Sequence, residues 1–329
     1  MLSSRRLRIL LVGEESAALQ VLRAMAGANN QIVAIMTSLD ASRDLSLAAA
    51  ADRLGYLVWP ASLVKDSAFA QEVNSAEIDM IINVHSRHII HEHVLFAPAI
   101  GAFNMHPGPL PRYAGLNTVS WAIYRGDSNY GVTIHWMARR IDAGDIAYQS
   151  TFQIDESDTP VSLTHKCVSA GVPLIVKLLD AASRGRDAIP RVQQDLSARE
   201  YFGKKAPERG WLSWTQSARE IVNFVRACDY SPYQSPWGHP KSMWEGREIA
   251  IVRAARTHVR CDQVPGTVGR CDESGSFIAT ADEWVLVSHL AIDGNRIKPQ
   301  AVMKPGKQLQ QCEPAALKPE KGLAAAAAQ

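Results

Sequence analysis

The chain has 329 residues, of which 47% are hydrophobic and 21% charged; these values exclude a disordered polypeptide and leave room for two domains. Its formal net charge of +2 gives no electrostatic argument for a nucleic-acid partner. Five cysteines without a CxxC pair fit neither a disulfide framework nor a zinc ribbon, and they favour reduced thiols in the cytoplasm.

The amino terminus predicts a first strand and not an export signal. Residues 7–13 form an apolar run that looks like the core of a signal peptide, but Glu14 and Glu15 end it early. No run approaches the roughly 20 apolar residues that a membrane span needs. We therefore expect a soluble, cytoplasmic protein that does not bind a membrane.

Short apolar runs alternate with helical patterns through the first half of the chain. The predicted helices cover residues 16–25, 45–54, 117–124 and 161–183. The predicted strands cover residues 7–13, 31–36, 78–84, 99–103, 131–137 and 146–154. Strands rich in Val, Ile and Leu between helices favour an α/β fold with a Rossmann-like, mostly parallel sheet that helices cover on both faces.

The composition changes near residue 195. Residues 196–210 are polar, basic and turn-rich, so we predict a linker there. A helix at 218–228 and short strands with glycine turns follow, which predicts a small OB-like β-barrel. We therefore expect an α/β domain at 1–195, the linker at 196–210, the barrel domain at 211–312, and a disordered tail at 313–329.

Two polar residues, Asn104 and His106, follow the predicted strand at 99–103. Alternate residues of a strand share a face, so both side chains point the same way. Asp142 comes 36 residues after His106. A carboxamide that donates to an oxyanion, an imidazole that moves a proton and a carboxylate that holds the imidazole suit attack on a carbonyl carbon. A polar strand end with ordinary hydrogen bonds would give the same pattern, and the spacing alone does not decide between the two.

Four histidines, His85, His88, His91 and His93, lie within nine residues. Imidazoles at this density could bind zinc. However, no cysteine or second ligand cluster is close in sequence, and the HExxH motif is absent. We therefore expect no metal.

The chain resembles the folate-dependent formyltransferases in motifs that follow one another in the same order. The motifs are residues 104–115, 121–123, 126–127, 131–135 and 141–145, and the resemblance runs from residue 7 to about 185. This superfamily includes methionyl-tRNA and glycinamide ribonucleotide formyltransferases, amino-sugar N-formyltransferases, formylation domains of peptide synthetases and a 10-formyltetrahydrofolate hydrolase domain. The resemblance implies that Asn104, His106 and Asp142 are catalytic and that 10-formyltetrahydrofolate is the co-substrate. The loop Pro107–Pro111 departs from many members, which affects the expected substrate preference and not the chemistry.

The resemblance also implies where the two substrates bind. Family members hold the pterin ring against the backbone of a segment before the catalytic strand and against the loop that carries the aspartate. Those positions here are His88, Ile89, Ile90, Leu95, Met137, Ala138, Arg139, Arg140, Ile141 and Asp142. The positions implied for the acceptor are Asn117, Thr118 and Trp121, although Trp121 could equally be a core residue.

The first turn after residue 13 lacks the glycine-rich loop that a phosphate group needs. Glu14 and Glu15 would repel a phosphate, which argues against a glycinamide ribonucleotide type of substrate and against a dinucleotide cofactor. The two carboxylates are candidate contacts for a cationic amine, or they serve only the dipole of the following helix.

The acceptor has to be inferred from differences within the superfamily. Residues 210–214, 221–227 and 265–268 resemble the barrel of the tRNA enzyme, but that enzyme carries a basic insertion in the first half of its catalytic domain. Here residues 37–51 contain only Arg43 against Asp40 and Asp44. We therefore expect a primary amine on a free or carrier-linked amino acid or amino sugar, and no nucleic-acid partner. Methionyl-tRNA formylation, hydrolysis of the donor and a non-catalytic binding module remain the alternatives.

Overall fold

The computed structural model of the protein describes residues 6–26, 30–39 and 46–310. Contacts divide the described residues into two compact units. The first unit contains those of residues 1–119, 127–157 and 162–203, and the second contains residues 120–126 and 158–161 with those from 204 onward.

The first part of the chain forms nine strands and six helices within the described ranges. The strands are β1 (Arg8–Gly13), β2 (Gln31–Thr37), β3 (Val58–Pro60), β4 (Met80–Val84), β5 (Gly101–His106), β6 (Ala114–Gly115), β7 (Asn129–Trp136), β8 (Ile146–Gln153) and β9 (Tyr201–Phe202). The helices are α1 (Glu15–Ala26), α2 (Leu47–Arg53), α3 (Phe69–Ser75), α4 (Glu92–Leu95), α5 (Thr118–Arg125) and α6 (Pro160–Ser183).

Seven of these strands form one sheet in the order β3-β2-β1-β4-β5-β7-β8. The first five strands in this order pair in parallel, and β7 and β8 add an antiparallel edge. Strand β4 is buried along its whole length, as expected for a parallel strand with both faces covered. The predicted Rossmann-like, mostly parallel sheet is therefore confirmed.

Some elements differ from the sequence prediction. Strand β3 and helices α3 and α4 were not predicted, because each is too short to show a clear hydrophobic period. Strand β5 continues to His106, so Asn104 and His106 belong to the strand itself. Helix α2 begins at Leu47, where the Ser46 hydroxyl caps it by accepting from the Ala49 N–H.

Helix α6 has the length and mean hydropathy of a membrane span, although polar residues interrupt its apolar ones. It is the one such helix among the described residues. Leu163, Ile175 and Leu178 on this helix are fully buried. At Gly171 the helix approaches the sheet so closely that a Cβ atom would lie 2.6 Å from the Met105 Sδ atom. This packing is typical of a core helix.

The second unit contains helix α7 (Ala218–Ala227) and the antiparallel strands β10 (Lys241–Trp244), β11 (Arg247–Arg260), β12 (Val268–Asp272), β13 (Gly275–Ala279), β14 (Glu283–Ile292) and β15 (Asn295–Ile297). The order is β10-β11-β14-β13-β12, and β15 pairs with β14. Gln310 bridges to Met243 and Gln308 bridges to Thr267, so the last described residues link the two edges of the sheet. The predicted barrel-like domain is confirmed, with two strands and a turn in place of the single predicted strand near 243–254.

The predicted linker at 196–210 contains ordered structure. Tyr201 and Phe202 in β9 pair with Ala114 and Gly115 in β6, and the boundary between the two units falls after Gly203. The predicted tail at 313–329 lies outside the described residues. The division of the chain into a catalytic and a second functional domain stays a prediction.

Candidate active site

Asn104 and His106 lie at the carboxyl end of β5, which is the edge where α/β sheets bind their ligands. In the parallel pair β4–β5, Asn83 is the register partner of Asn104. In the antiparallel pair β5–β7, His135 is the register partner of Asn104. Three strands therefore bring four polar side chains together at one end of the sheet.

Asp142 reaches the same place from the loop between β7 and β8. Its backbone has a φ of 52°, a left-handed conformation that aspartate tolerates better than most residues. The Gln194 side chain fixes this loop by donating to the carbonyl oxygens of Asp142 and Gly144, at 3.0 and 2.6 Å. The Asp142 Oδ2 atom accepts from the Gly115 N–H at 2.9 Å. Asp142 is thus held through both its backbone and its carboxylate in a left-handed turn, and such backbone conformations are common at functional sites.

The Asp142 carboxylate lies between two imidazoles. Its Oδ2 atom is 3.6 Å from His106 Nδ1, and its Oδ1 atom is 3.5 Å from His135 Nε2. Burial alone would raise the pKa of Asp142, but attraction to His106 and His135 and the Gly115 N–H outweigh it. The pKa of Asp142 is therefore well below its usual range, and the group is a carboxylate at neutral pH.

His106 is buried, and its ring is held by the backbone. Its Nε2–H donates to the Tyr113 carbonyl at 2.5 Å. Burial lowers the pKa of His106, and this effect outweighs the opposite effects of Asp142 and of the Tyr113 carbonyl. His106 is therefore a neutral imidazole at neutral pH, with its proton on Nε2 and a lone pair on Nδ1 that faces Asp142. Together, the His106 imidazole and the Asp142 carboxylate can accept one proton and return it.

His135 is a site residue that was not predicted, although residue 135 stands in a quoted motif. Its Nδ1 atom is 2.8 Å from the Trp136 carbonyl, which can only accept, so Nδ1 carries the proton. The other ring nitrogen, Nε2, lies 3.2 Å from Asn104 Nδ2 and accepts from its N–H when the ring carries its one proton on Nδ1. Asn104 keeps a second N–H for an oxyanion. The only signal in the sequence was a histidine in a predicted strand, which does not reveal its strand partner.

The loop after His106 is shaped by a glycine and a threonine. A Cβ atom on Gly108 would lie 2.7 Å from the Tyr113 carbonyl oxygen and 2.8 Å from His106 Nε2. The Thr133 hydroxyl donates to the Gly108 carbonyl at 2.7 Å and accepts from the Leu110 N–H at 3.2 Å. Gly108 therefore leaves room for the hydrogen bond that orients the His106 ring.

Replacing Gly108 with alanine is expected to lower the free energy of unfolding by about 1–3 kcal/mol, because the Tyr113 backbone and the His106 ring would have to move. Urea denaturation measures this change. Gly203→Ala is the matched control, because a Cβ atom at Gly203 meets nothing within 4 Å. Equal stability of the two alanine variants would contradict the tight packing at Gly108.

The residues predicted to meet the pterin ring differ in exposure. Ile90, Leu95 and Asp142 are buried; His88, Met137 and Ala138 are half-buried; Ile89, Arg139, Arg140 and Ile141 are exposed. Ile90 and Leu95 belong to the hydrophobic core, so only their backbone could meet a ligand. Ile89 and Ile141 have 72% and 41% of their surface exposed, which leaves apolar side chains open to a flat ring. These contacts stay predictions.

Two residues predicted to contact the acceptor, Glu14 and Thr118, use their side chains in hydrogen bonds within the fold. The buried Glu14 carboxylate accepts from the Thr37 and Ser38 hydroxyls at 3.0 and 2.7 Å, and so ties β1 to β2. The Thr118 hydroxyl donates to the Pro107 carbonyl at 2.9 Å. These two side chains are held by the fold, and their predicted contact with an acceptor has no support in the geometry.

The other residues predicted to contact the acceptor are Glu15, Asn117 and Trp121. Glu15 is exposed, has a φ of 60° and lies 3.5 Å from Arg87. Asn117 has a φ of 55° at the start of α5. Trp121 belongs to the second unit, where its ring packs edge-on against Trp237, with centroids 5.1 Å apart. Glu15, Asn117 and the half-buried Trp121 stay candidates for acceptor binding.

No group of three or more His, Cys, Asp or Glu side chains within residues 6–26, 30–39 and 46–310 could hold a metal ion. In the histidine-rich segment, His91 Nδ1 accepts from the His93 N–H at 3.2 Å. Burial lowers the pKa of His85, and its Nε2 atom is buried without a hydrogen-bond partner.

Family models match both parts of the chain. One, described as formyl transferase, matches residues 5–179, and another, described as formyl transferase C-terminal domain, matches residues 204–306. Among curated proteins, the methionyl-tRNA formyltransferase of Roseiflexus sp. (strain RS-1) is 30% identical over 311 residues, which is 92% of this chain and 93% of that protein.

Solved structures share the fold at low identity. An N-formyltransferase from Helicobacter canadensis in complex with folinic acid and dTDP-3-aminofucose has a TM-score of 0.66 at 18% identity, over 85% of this chain and 98% of that one. HypX from Aquifex aeolicus in complex with tetrahydrofolic acid has a TM-score of 0.62 at 20% identity, over 91% of this chain. The match covers 47% of HypX, so this chain spans about half the length of that protein.

Proposed function

Because the chain belongs to the formyl transferase family and is a folate-dependent formyltransferase, we propose that it moves a formyl group from 10-formyltetrahydrofolate to the primary amine of a small or carrier-linked acceptor. The acceptor is an amino acid or an amino sugar. One observation carries the proposal: Asn104, His106 and Asp142 meet at the carboxyl end of β5, with a free N–H on Asn104. We assign these three residues the catalytic roles.

The donor supplies an activated formyl carbon, and the chain supplies the polar groups around it. The Asn104 N–H donates to the oxygen that becomes negative as the amine nitrogen bonds to this carbon. The His106–Asp142 pair accepts the proton that the amine loses, directly or through one water. The same pair returns that proton to the departing donor nitrogen as its bond to carbon breaks. Protons and electron pairs balance, and neither side chain is changed.

The acid side of the pH profile gives a prediction about His106. Because burial lowers its pKa, the imidazole stays neutral as the pH falls through the ordinary value of about 6.5. We expect kcat at saturating donor and acceptor to fall only below that pH. By linkage, His106 favours folding above about pH 6.5, and this contribution decreases as the pH falls towards its folded pKa.

Measuring kcat from pH 5 to 8 tests this expectation. A midpoint at or above the ordinary histidine value would contradict a buried neutral His106. His106→Asn is the control, because it removes the titrating group while it keeps a hydrogen-bonding side chain.

The proposed acceptor follows from charge and from the amine itself. An α-amino group has a pKa of about 7.7–8.0, so a useful fraction is neutral at physiological pH and little activation is needed. Glu15 is exposed near the end of β1, where a carboxylate favours an amine over a phosphate. The segment 37–51 contains one arginine and two aspartates, which gives a tRNA backbone little to bind. Arg43, Asp40 and Asp44 lie outside the described residues.

Methionyl-tRNA is the second candidate acceptor. The match to a methionyl-tRNA formyltransferase covers 92% of this chain and includes the barrel domain. Such an enzyme would bind phosphates of the tRNA, and its affinity for tRNA would fall steeply as the salt concentration rises.

A donor-turnover assay decides among the acceptors. The protein is incubated with 10-formyltetrahydrofolate and, in separate reactions, with free amino acids, nucleotide-linked amino sugars, methionyl-tRNA or no acceptor, and the products are identified by mass. A formylated small amine supports the proposal. Formylated methionyl-tRNA alone would favour the second candidate, and tetrahydrofolate with formate in every reaction would mean hydrolysis.

A further inference from the structure

We propose that Asn83 is a positioning residue that sets the orientation of the Asn104 carboxamide, so that an N–H and not the C=O faces the reacting oxygen. This inference rests on the proposed catalytic role of Asn104. It adds a residue from the neighbouring strand to the machinery of the reaction.

Asn83 is an unusual residue for its place. It is the one polar residue in β4, whose sequence is Met-Ile-Ile-Asn-Val, and it is buried in the centre of the sheet. Its Nδ2–H donates to Asn104 Oδ1 at 2.9 Å. Its own Oδ1 atom is buried without a hydrogen-bond partner. An apolar side chain would avoid the cost of that unpaired atom, so the stability of the strand does not explain an asparagine here.

A directional chain of hydrogen bonds gives Asn83 its effect. The Trp136 carbonyl can only accept, so it places the His135 proton on Nδ1 and leaves Nε2 as an acceptor. The Asn104 amide group then donates to Nε2, which turns Oδ1 of Asn104 towards β4. Asn83 completes the chain by donating to that oxygen.

Both ends of the Asn104 carboxamide are therefore specified by partners of opposite kind. A half-turn of the Asn104 amide would place two acceptors together at His135. At Asn83 it would bring two donors together or force the Asn83 amide to turn as well, which would leave the buried Asn83 N–H groups without their acceptor. It would also leave the oxyanion facing a carbonyl oxygen or a misdirected N–H. The two ends of an amide have nearly the same shape, so packing alone cannot prevent this rotation and hydrogen-bond partners must do so.

Asn83→Leu and Asn83→Asp test the proposal with opposite changes. The leucine variant removes the donor, and we expect kcat to fall about fivefold to tenfold, equivalent to one hydrogen bond, with the KM for both substrates unchanged. In the aspartate variant a carboxylate can only accept, so the Asn104 amide group turns towards it. We expect kcat to fall about a hundredfold, as for loss of an oxyanion donor. Asn83→Val, which suits a strand and has no hydrogen-bond donor, replaces the leucine variant if that protein does not fold.

A double-mutant cycle separates positioning from a general packing effect. In the Asn104→Ala background, Asn83→Leu should have no further effect on kcat, because its target is gone. Val84→Ala is the matched control; it removes a fully buried, apolar side chain from the same strand and should lower Tm without changing kcat.

Two results would overturn the inference. One is a kcat of Asn83→Leu within twofold of the unaltered enzyme. The other is an equal loss of kcat from Asn83→Leu in the presence and absence of Asn104. Full activity of Asn104→Ala alone is a different result, because it would refute the proposed catalytic role of Asn104 itself.

Discussion

Asp142→Asn is expected to lower kcat about a thousandfold, the middle of the range for loss of a positioned acid–base group. Asparagine keeps an oxygen for the Gly115 N–H and tolerates the left-handed backbone at this position. It removes the negative charge between His106 and His135, so the imidazole that we propose takes the amine proton loses its stabilising partner. Fold and substrate binding should remain, so the loss should appear in kcat and not in KM.

Asp79→Asn is the control for the loss of a buried carboxylate. Asp79 is buried in the first unit and accepts from the Arg8 N–H at 2.9 Å, but it precedes β4 at the opposite end of the sheet from the site. This variant should lose stability and keep its kcat. A fall of less than tenfold for Asp142→Asn would contradict the assigned role of Asp142.

Asn104→Ala is expected to lower kcat by about a hundredfold to a thousandfold, the usual loss when one oxyanion donor is removed. Asn104→Asp should be at least as damaging, because a carboxylate would face the developing negative charge and repel it. The effect on KM should be small, since the donated hydrogen bond strengthens as the oxyanion forms. Steady-state kinetics with the acceptor at saturation measures both quantities.

Asn104 and the His106–Asp142 pair act on the same reacting groups, so the pair should contribute less to the rate once Asn104 is gone. The combined Asn104→Ala and Asp142→Asn variant should therefore lose less than the product of the two single losses, because residues that act as a unit are not additive. A fully multiplicative loss would mean that the carboxamide and the carboxylate act in independent steps.

The sequence was sufficient to predict that Asn104 and His106 share one face of their strand, because strand alternation places residues i and i+2 on one face. It could not supply the partners of these residues across the sheet. Asn83 and His135 contact Asn104 through the register of β4 and β7 with β5, and this register is set by tertiary packing. In hindsight, the lone asparagine in an apolar strand was the available signal for Asn83.

Glu14 is a predicted site residue whose side chain the fold uses instead. Two glutamates after the first strand argue against a phosphate, but the sequence does not show which one faces outward. In the structure the ends of β1 and β2 come together, and the Glu14 carboxylate accepts hydrogen bonds from the Thr37 and Ser38 hydroxyls there. Only Glu15 is left exposed. Such a division between two neighbouring, chemically identical residues depends on long-range strand pairing.

The fate of a labelled formyl group tests the central claim most directly. The unaltered enzyme and Asn104→Ala are each given 10-formyltetrahydrofolate that carries label in the formyl carbon, together with a primary amine that the enzyme accepts. We predict that the unaltered enzyme places the label in a formamide, one for each tetrahydrofolate released, and that Asn104→Ala does so at least a hundredfold more slowly. Label that is recovered as formate, or that is transferred equally fast by both proteins, would contradict the account.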